Sequence, residues 1–162
     1  MVDAAALRDR ALALLEAVTD PEIPVLTIAD LAILRDVTVQ GDEVQVTITP
    51  TYSGCPAMNM IALEIETTLA RSGIKSRIVT QLSPAWTTDW LSDAAREKLA
   101  AFGIAPPENT TSRRALFGEA HPACPLCGSA DTEQISEFGS TACKSLHRCR
   151  ACREPFDAFK CH

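Results

Sequence analysis

Before residue 121 the chain contains no histidine. A Cys–His couple is therefore impossible within the first 120 residues, which argues against a cysteine hydrolase. The chain also lacks the Glu-x-x-His pairs of a di-iron helical bundle and a Gly-rich dinucleotide fingerprint. No stretch approaches the ~18 uninterrupted apolar residues that a membrane helix needs. The opening MVDAAALRDRALALLEAV is interrupted by Asp3, Arg8, Asp9, Arg10 and Glu16. It has neither the basic start nor the clean apolar core of a signal peptide, so a cytoplasmic protein is expected. A basic surface is missing as well. The net charge is −6; residues 1–120 hold 10 Lys or Arg against 16 Asp or Glu, and residues 121–162 hold five of each. Neither part suits a phosphate backbone, so no nucleic-acid partner is expected.

What the chain does have is cysteine. There are seven, and six lie after residue 123, together with His121, His147 and His162. A cytoplasmic chain does not keep structural disulfides, so such a cluster points to metal.

Residues 4–18 carry Ala4, Leu7, Ala11, Leu14, Leu15 and Val18 at helical spacing. TDPEIP ends that helix, because a residue before proline leaves the helical region. LTIADLAIL follows as an apolar connector. LRDVTVQGDEVQVTIT reads as a β-hairpin turning at QGDE, with Val44, Val46 and Ile48 on its buried face. PAMNMIALEIETTLARSG reads as a helix with Met58, Ala62, Ile65 and Leu69 on one face and Gly73 as its stop. KSRIVTQL is a third strand, and SDAAREKLAAFG a last helix with Leu91, Ala95, Leu99 and Phe102 inward. Trp86 and Trp90 read as packing for that helix, and Trp86, in a loop after a proline, could also belong to a partner surface. The order α-β-β-α-β-α predicts a small two-layer α/β sandwich with a three-stranded mixed sheet. A right-handed crossover makes the third strand parallel to the second. Residues 1–105 form the predicted α/β domain, 106–120 a Pro-, Ser- and Thr-rich linker, and 121–162 a separate metal-binding domain.

In that last domain CPLC (Cys124, Cys127) and CRAC (Cys149, Cys152) stand 21 residues apart. Each pair can turn two sulfurs toward one ion, and four thiolates at tetrahedral corners suit zinc at ~2.3 Å per bond. About forty residues cannot bury enough apolar surface to fold unaided. Structural zinc contributes on the order of 10–16 kcal/mol of apparent binding energy, which becomes folding energy. A zinc ribbon is expected, with Phe138, Leu146, Phe156 and Phe159 as a thin apolar layer. An iron–sulfur cluster is the competing occupant, since four cysteines suit it too. Cys143 and Cys161 are either small apolar fillers or, with His162, an additional metal site. His147 is expected on a strand as a surface residue facing away from the cysteines.

Cys55 stands alone in TPTYSGCPAMNM. Pro56 suits the first helical position, which puts Cys55 beside the positive end of the helix dipole and its unpaired N–H groups. A thiol so placed can be a reactive thiolate. The alternative is a buried cysteine filling space between strand and helix. Asp20 and Glu22 follow the first helix and read as a cap and a surface charge.

DPEIPVLTIADLAILRDV, TPTYSGCPAM, SPAWTTDWLSDAAREKL and GIAPP together resemble the MIP18-type domain, also called domain of unknown function 59. Joined to the tail segments FGSTACK and EPFDAFKC, the chain resembles the PaaD (PaaJ) family of accessory proteins of the bacterial phenylacetyl-CoA 1,2-epoxidase system, used in aerobic phenylacetate catabolism. The resemblance implies assistance to iron–sulfur cluster assembly, with Asp20, Pro21, Glu22 and Cys55 at the marked positions. It implies that Cys143 and Cys161 belong to the tail's set, while His162 departs from the pattern. The epoxidase is a di-iron oxygenase served by a reductase that carries an iron–sulfur domain and flavin. The resemblance makes this chain neither of those but a non-enzymatic factor that delivers a transient iron–sulfur cluster to the reductase, with structural Zn2+ in its tail. Its expected partners are the reductase and oxygenase subunits, and cluster sharing through cysteines would favour a homodimer. The rival expectation is a zinc scaffold that stabilises the oxygenase complex without cluster chemistry.

Overall fold

The computed structural model describes residues 3–108 and 121–160. Its contacts divide the chain into two compact units, Met1–Trp86 and Thr87–His162.

In the first unit, helix α1 (Ala4–Leu15) starts where the Asp3 carboxylate accepts the Ala5 N–H at 3.0 Å, the usual cap for an orphan donor. It buries Ala11 and Leu15 and stops three residues short of the expected end. Val18 instead belongs to the connector, where it is buried with Ile23, Leu26, Ile28, Leu31 and Ile33. Within the connector Thr27 and Asp30 each accept the other's backbone N–H at 3.0 Å.

Strands β1 (Leu34–Gln40) and β2 (Glu43–Ile48) pair antiparallel. The turn between them uses Gly41 at φ 66°, a conformation that costs glycine no Cβ clash. Helix α2 (Ala57–Arg71) leads to β3 (Lys75–Thr80), which runs parallel to β2, giving the sheet order β1-β2-β3. The central strand buries Val44, Val46 and Ile48 as the alternation predicts. Helix α2 buries Ala57, Ile61, Ile65 and Leu69. Ile65 and Leu69 match the predicted stripe; Ile61 and Ala57 replace Ala62 and Met58, because successive i−4 steps from Ile65 hold one face of the helix.

The second unit begins with a 3-10 turn (Thr88–Trp90) and helix α3 (Asp93–Ala101), capped by Ser92 Oγ on the Ala95 N–H at 3.1 Å. Leu91, Ala95 and Leu99 are buried, but Phe102 is exposed, because it stands at the C-cap where the helical face ends. A four-stranded sheet follows in the order β4-β7-β6-β5, from β4 (Ile104–Ala105), β5 (Thr132–Ser136), β6 (Lys144–Cys149) and β7 (Pro155–Phe159). Strand β4 is parallel to β7; the other pairs are antiparallel. The sequence-based boundary falls after residue 105, whereas the contacts place α3 and β4 in the same unit as the ribbon. The β4–β7 ladder is the physical reason: a two-residue strand has too weak a pattern to be read in the sequence. The core beside the cysteines holds Ala105, Phe156 and Ala158. Phe138, expected in that layer, is exposed on the loop after β5, with Lys160 Nζ 4.1 Å above its ring. Among the described residues no helix is long and apolar enough to cross a membrane.

Candidate metal centre and the cysteine before the second helix

Two tight turns bring four thiols together. In the first, the Gly128 N–H donates to Cys124 O at 2.8 Å and the Cys124 N–H to Ser129 O at 2.9 Å, with Gly128 at φ 75°. In the second, which closes β6, the Cys149 N–H donates to Glu154 O at 3.0 Å and the Cys152 N–H points at Cys149 Sγ, 3.5 Å away. The sulfurs of Cys124 and Cys152 lie 3.8 Å apart, those of Cys127 and Cys149 3.5 Å apart, and all four fall within 4.8 Å of one another. Bonds of ~2.3 Å to tetrahedral corners put sulfurs roughly 3.8 Å apart, so this set fits a four-coordinate zinc ion. Cys124 and Cys149 are buried, Cys152 is half-buried and Cys127 is exposed.

The thiols differ in acidity. The Cys152 backbone amide aimed at Cys149 Sγ holds that thiol down at about 6. For Cys152 the Glu154 backbone amide acts in the acidifying direction, but burial and the neighbouring thiols outweigh it and push the thiol up to about 12. A bound cation removes this spread by favouring every thiolate.

Cys55 lies outside this group. Pro56 caps α2 and Ala57 is its first residue, so Cys55 sits one position before the cap, half-buried. Its N–H donates to Tyr52 O and its carbonyl accepts the Met58 N–H, both at 3.2 Å, after Gly54 at φ 84°. Asp20 is buried, and its Oδ1 accepts the N–H groups of Glu22 (2.8 Å) and Ile23 (2.9 Å). It shapes the Asp-Pro-Glu turn by the side-chain-to-backbone bonding typical of short acidic residues. Among the described residues, Asp20, Glu22 and Cys55 do not gather into a cluster like that of the four tail cysteines. A cavity of about 370 Å3 lies between the turn and the middle of α2, walled by Thr19 and Pro21 on one side and Met60, Ile61 and Glu64 on the other, and neither Cys55 nor Asp20 nor Glu22 lines it.

Of the remaining predicted residues, Cys143 is buried just before β6, with Thr141 Oγ1 3.1 Å from its sulfur. Cys161 and His162 lie outside the described residues, as does most of the predicted linker. His147 corrects an expectation: it is buried, not a surface residue. It shares a face with Cys149 two positions on, as strand alternation requires, and its ring stacks on Phe156 with centroids 5.6 Å apart. Burial, helped by the nearby His121, holds its pKa below the usual histidine value.

One group escaped the sequence reading. Lys144 is buried with Nζ 4.0 Å from Asp157 Oδ2, and Ser140 donates to the same carboxylate from both its hydroxyl and its backbone N–H. FGSTACK and EPFD are the two segments that build it.

Comparisons agree with this two-part build. Residues 108–160 match the family described as PaaD zinc beta ribbon domain, and residues 8–78 match the family described as iron-sulfur cluster assembly protein. The chain is thus of the iron–sulfur-assembly accessory class, with a metal-binding zinc ribbon attached. It is 51% identical over 150 residues, 92% of this chain and 90% of the other, to a putative 1,2-phenylacetyl-CoA epoxidase subunit of Escherichia coli (strain K12). It belongs to that PaaD family of epoxidase-system proteins. It is 35% identical over 91 residues to the "Fe-S protein maturation auxiliary factor" of Porphyromonas gingivalis (strain ATCC BAA-308 / W83), 53% of this chain and 84% of that one. The crystal structure of a domain of unknown function 59 from Bacillus anthracis superposes with a TM-score of 0.54 at 27% identity, covering 59% of this chain and 93% of that one.

Proposed function

We propose that this chain is a cytoplasmic maturation factor, not itself an enzyme, that delivers an iron–sulfur cluster to the reductase component of a phenylacetyl-CoA epoxidase system. The observation that carries the reading is the separation of its cysteines. Four close on one another as a complete structural ligand set, while Cys55 stays half-buried and apart at the entrance to α2. A closed tetrahedral set keeps its ion, whereas exchange needs an open position. Cys55 is the exchangeable ligand of the cargo: its bond to iron breaks as a client thiolate bonds to the same iron, with no change in electron count. Asp20 shapes the turn that presents Glu22. Relatives named for iron–sulfur maturation and for the epoxidase support this assignment of partners.

The test is the iron content of the reductase from cells carrying only Cys55→Ser. The expected result is an intact, zinc-loaded variant and a reductase depleted in cluster; full occupancy overturns the reading. The closed four-thiol set also suits a second reading, a zinc scaffold for the oxygenase complex with no cluster chemistry. In that case Cys55→Ser is silent, and Cys124→Ser abolishes co-purification of the oxygenase subunits. An additional metal site at Cys143 and Cys161 is tested by a metal-to-protein ratio above one that falls in Cys143→Ser.

A further inference from the structure

The cavity between the Asp-Pro-Glu turn and the middle of α2 has mostly apolar walls. Leu14 comes from the last turn of α1, Ala17 and Pro21 from the chain after it, and Met60 and Ile61 from α2. Met60 lines this recess and is still 58% exposed, and Leu63, three positions on, is 55% exposed. Residues three apart on a helix are neighbours, so the two carry the apolar lining out onto the surface. Methionine is flexible and polarisable, and it recurs on surfaces that take up a partner's side chains.

The charged residues in these walls, or next to them in the chain, are all acidic: Glu16, Asp20, Glu22 and Glu64. The Asp20 carboxylate already accepts two backbone N–H groups. Glu16 and Glu64 are exposed, and neither carboxylate has an ion-pair partner among the described residues. An apolar recess rimmed by unpaired carboxylates complements an apolar side chain with a lysine or arginine beside it. A small cation alone would leave Met60 and Leu63 in water, whereas a protein segment covers both as it fills the recess. The recess is also close to Cys55 along the chain. Met60 follows that cysteine by five positions, roughly 8 Å along the helix axis.

We propose that this recess, with Met60, Leu63 and Glu64, is where the reductase docks, through a segment that carries an apolar side chain and an adjacent lysine or arginine. The inference rests on the cluster-delivery reading and deepens it: it names the surface that holds the client while Cys55 exchanges its ligand. The apolar anchor enters between α1 and α2, and the basic group meets Glu64 at the rim.

The probe is the purified reductase without its cluster, titrated into the full-length, zinc-loaded protein by calorimetry. Glu64→Lys and Met60→Ser are each expected to weaken binding by about tenfold or more, since one reverses a rim charge and the other removes an apolar contact. Glu66→Lys makes the same charge change two positions on, where α2 faces another way, and is expected to stay within about twofold of the wild type. Salt should weaken the wild type more than Glu64→Gln. Should a variant fail to fold, the wild type alone decides: the Met60 methyl signal must shift in the NMR spectrum as reductase is added. The two readings fail separately. Full cluster occupancy in cells carrying only Cys55→Ser overturns delivery through Cys55, not docking. Absence of binding, wild-type affinity in Met60→Ser and Glu64→Lys, equal effects of Glu64→Lys and Glu66→Lys, or an unmoved Met60 methyl would each overturn docking at this recess.

Discussion

A Cβ on residue 139 would overlap the carboxylate of Asp157, so a side chain there forces that carboxylate to move. The carboxylate cannot readily yield. Ser140 Oγ donates to it at 2.6 Å, the Ser140 N–H at 3.3 Å, and buried Lys144 stands 4.0 Å away. Gly139→Ala is therefore expected to destabilise the zinc-loaded second unit by about 1–3 kcal/mol, the usual cost of overpacking. Denaturant unfolding checks this; a wild-type midpoint would mean that Asp157 moves aside freely.

Cys149 is the most enclosed of the four clustered thiols, while Cys127 is exposed. Cys149→Ser should reduce zinc from one ion per chain to nearly none. Cys127→Ser should retain a measurable fraction, since solvent can complete an exposed corner of the tetrahedron. Elemental analysis of both purified variants decides it, and equal loss would refute the distinction.

Metal removal should act unevenly. The ribbon's apolar core is small, and structural zinc contributes folding energy outright. A chelator is expected to strip hydrogen-exchange protection from β5, β6 and β7 while β1, β2 and β3 keep theirs. Protection that persists throughout would show that the ribbon folds without an ion.

Asp20 separates a turn-forming role from a chemical one. Its Oδ1 accepts two backbone N–H groups, so Asp20→Ala should cost about 1–3 kcal/mol by leaving buried donors unpaired. Asp20→Asn keeps an acceptor oxygen and should restore most of that stability. If Asn restores the fold but not cluster delivery, the charge itself takes part in the chemistry.

Asp42 offers a pH test away from the metal. Lys75 Nζ lies 2.5 Å from its Oδ2, and that hydrogen bond, with the charge attraction, holds the Asp42 carboxyl below its ordinary value of 3.8. The sign follows: a carboxyl depressed in the folded state adds stability above the ordinary value and loses it as pH falls through the lower folded one. The pair is exposed, so the effect on stability is small. NMR titration should find the Asp42 midpoint below 3.8, rising toward it in high salt and in Lys75→Met. An ordinary midpoint at low salt would refute the pairing.

Much of this molecule is local chemistry and could be read from the chain. Alternation in EVQVTI marks the central strand, glycine and proline mark the ends of α2, and two Cys-x-x-Cys turns mark a metal centre whatever lies between them. These signals survive because each depends on residues within a few positions of one another. What needed the tertiary structure depends on residues far apart. Ile104 and Ala105 became a strand only because β7 offered a partner. His147 was buried because the ladder set it opposite Phe156 and beside Ser145. Gly139 became the favoured residue because Asp157, 18 positions on, is tied from several sides. By itself the sequence determined the strand–helix order, the four-thiol set and the lone position of Cys55. Only packing decided which polar side chains were taken out of water and with which partners, because burial and pairing are properties of the assembled fold rather than of any short segment.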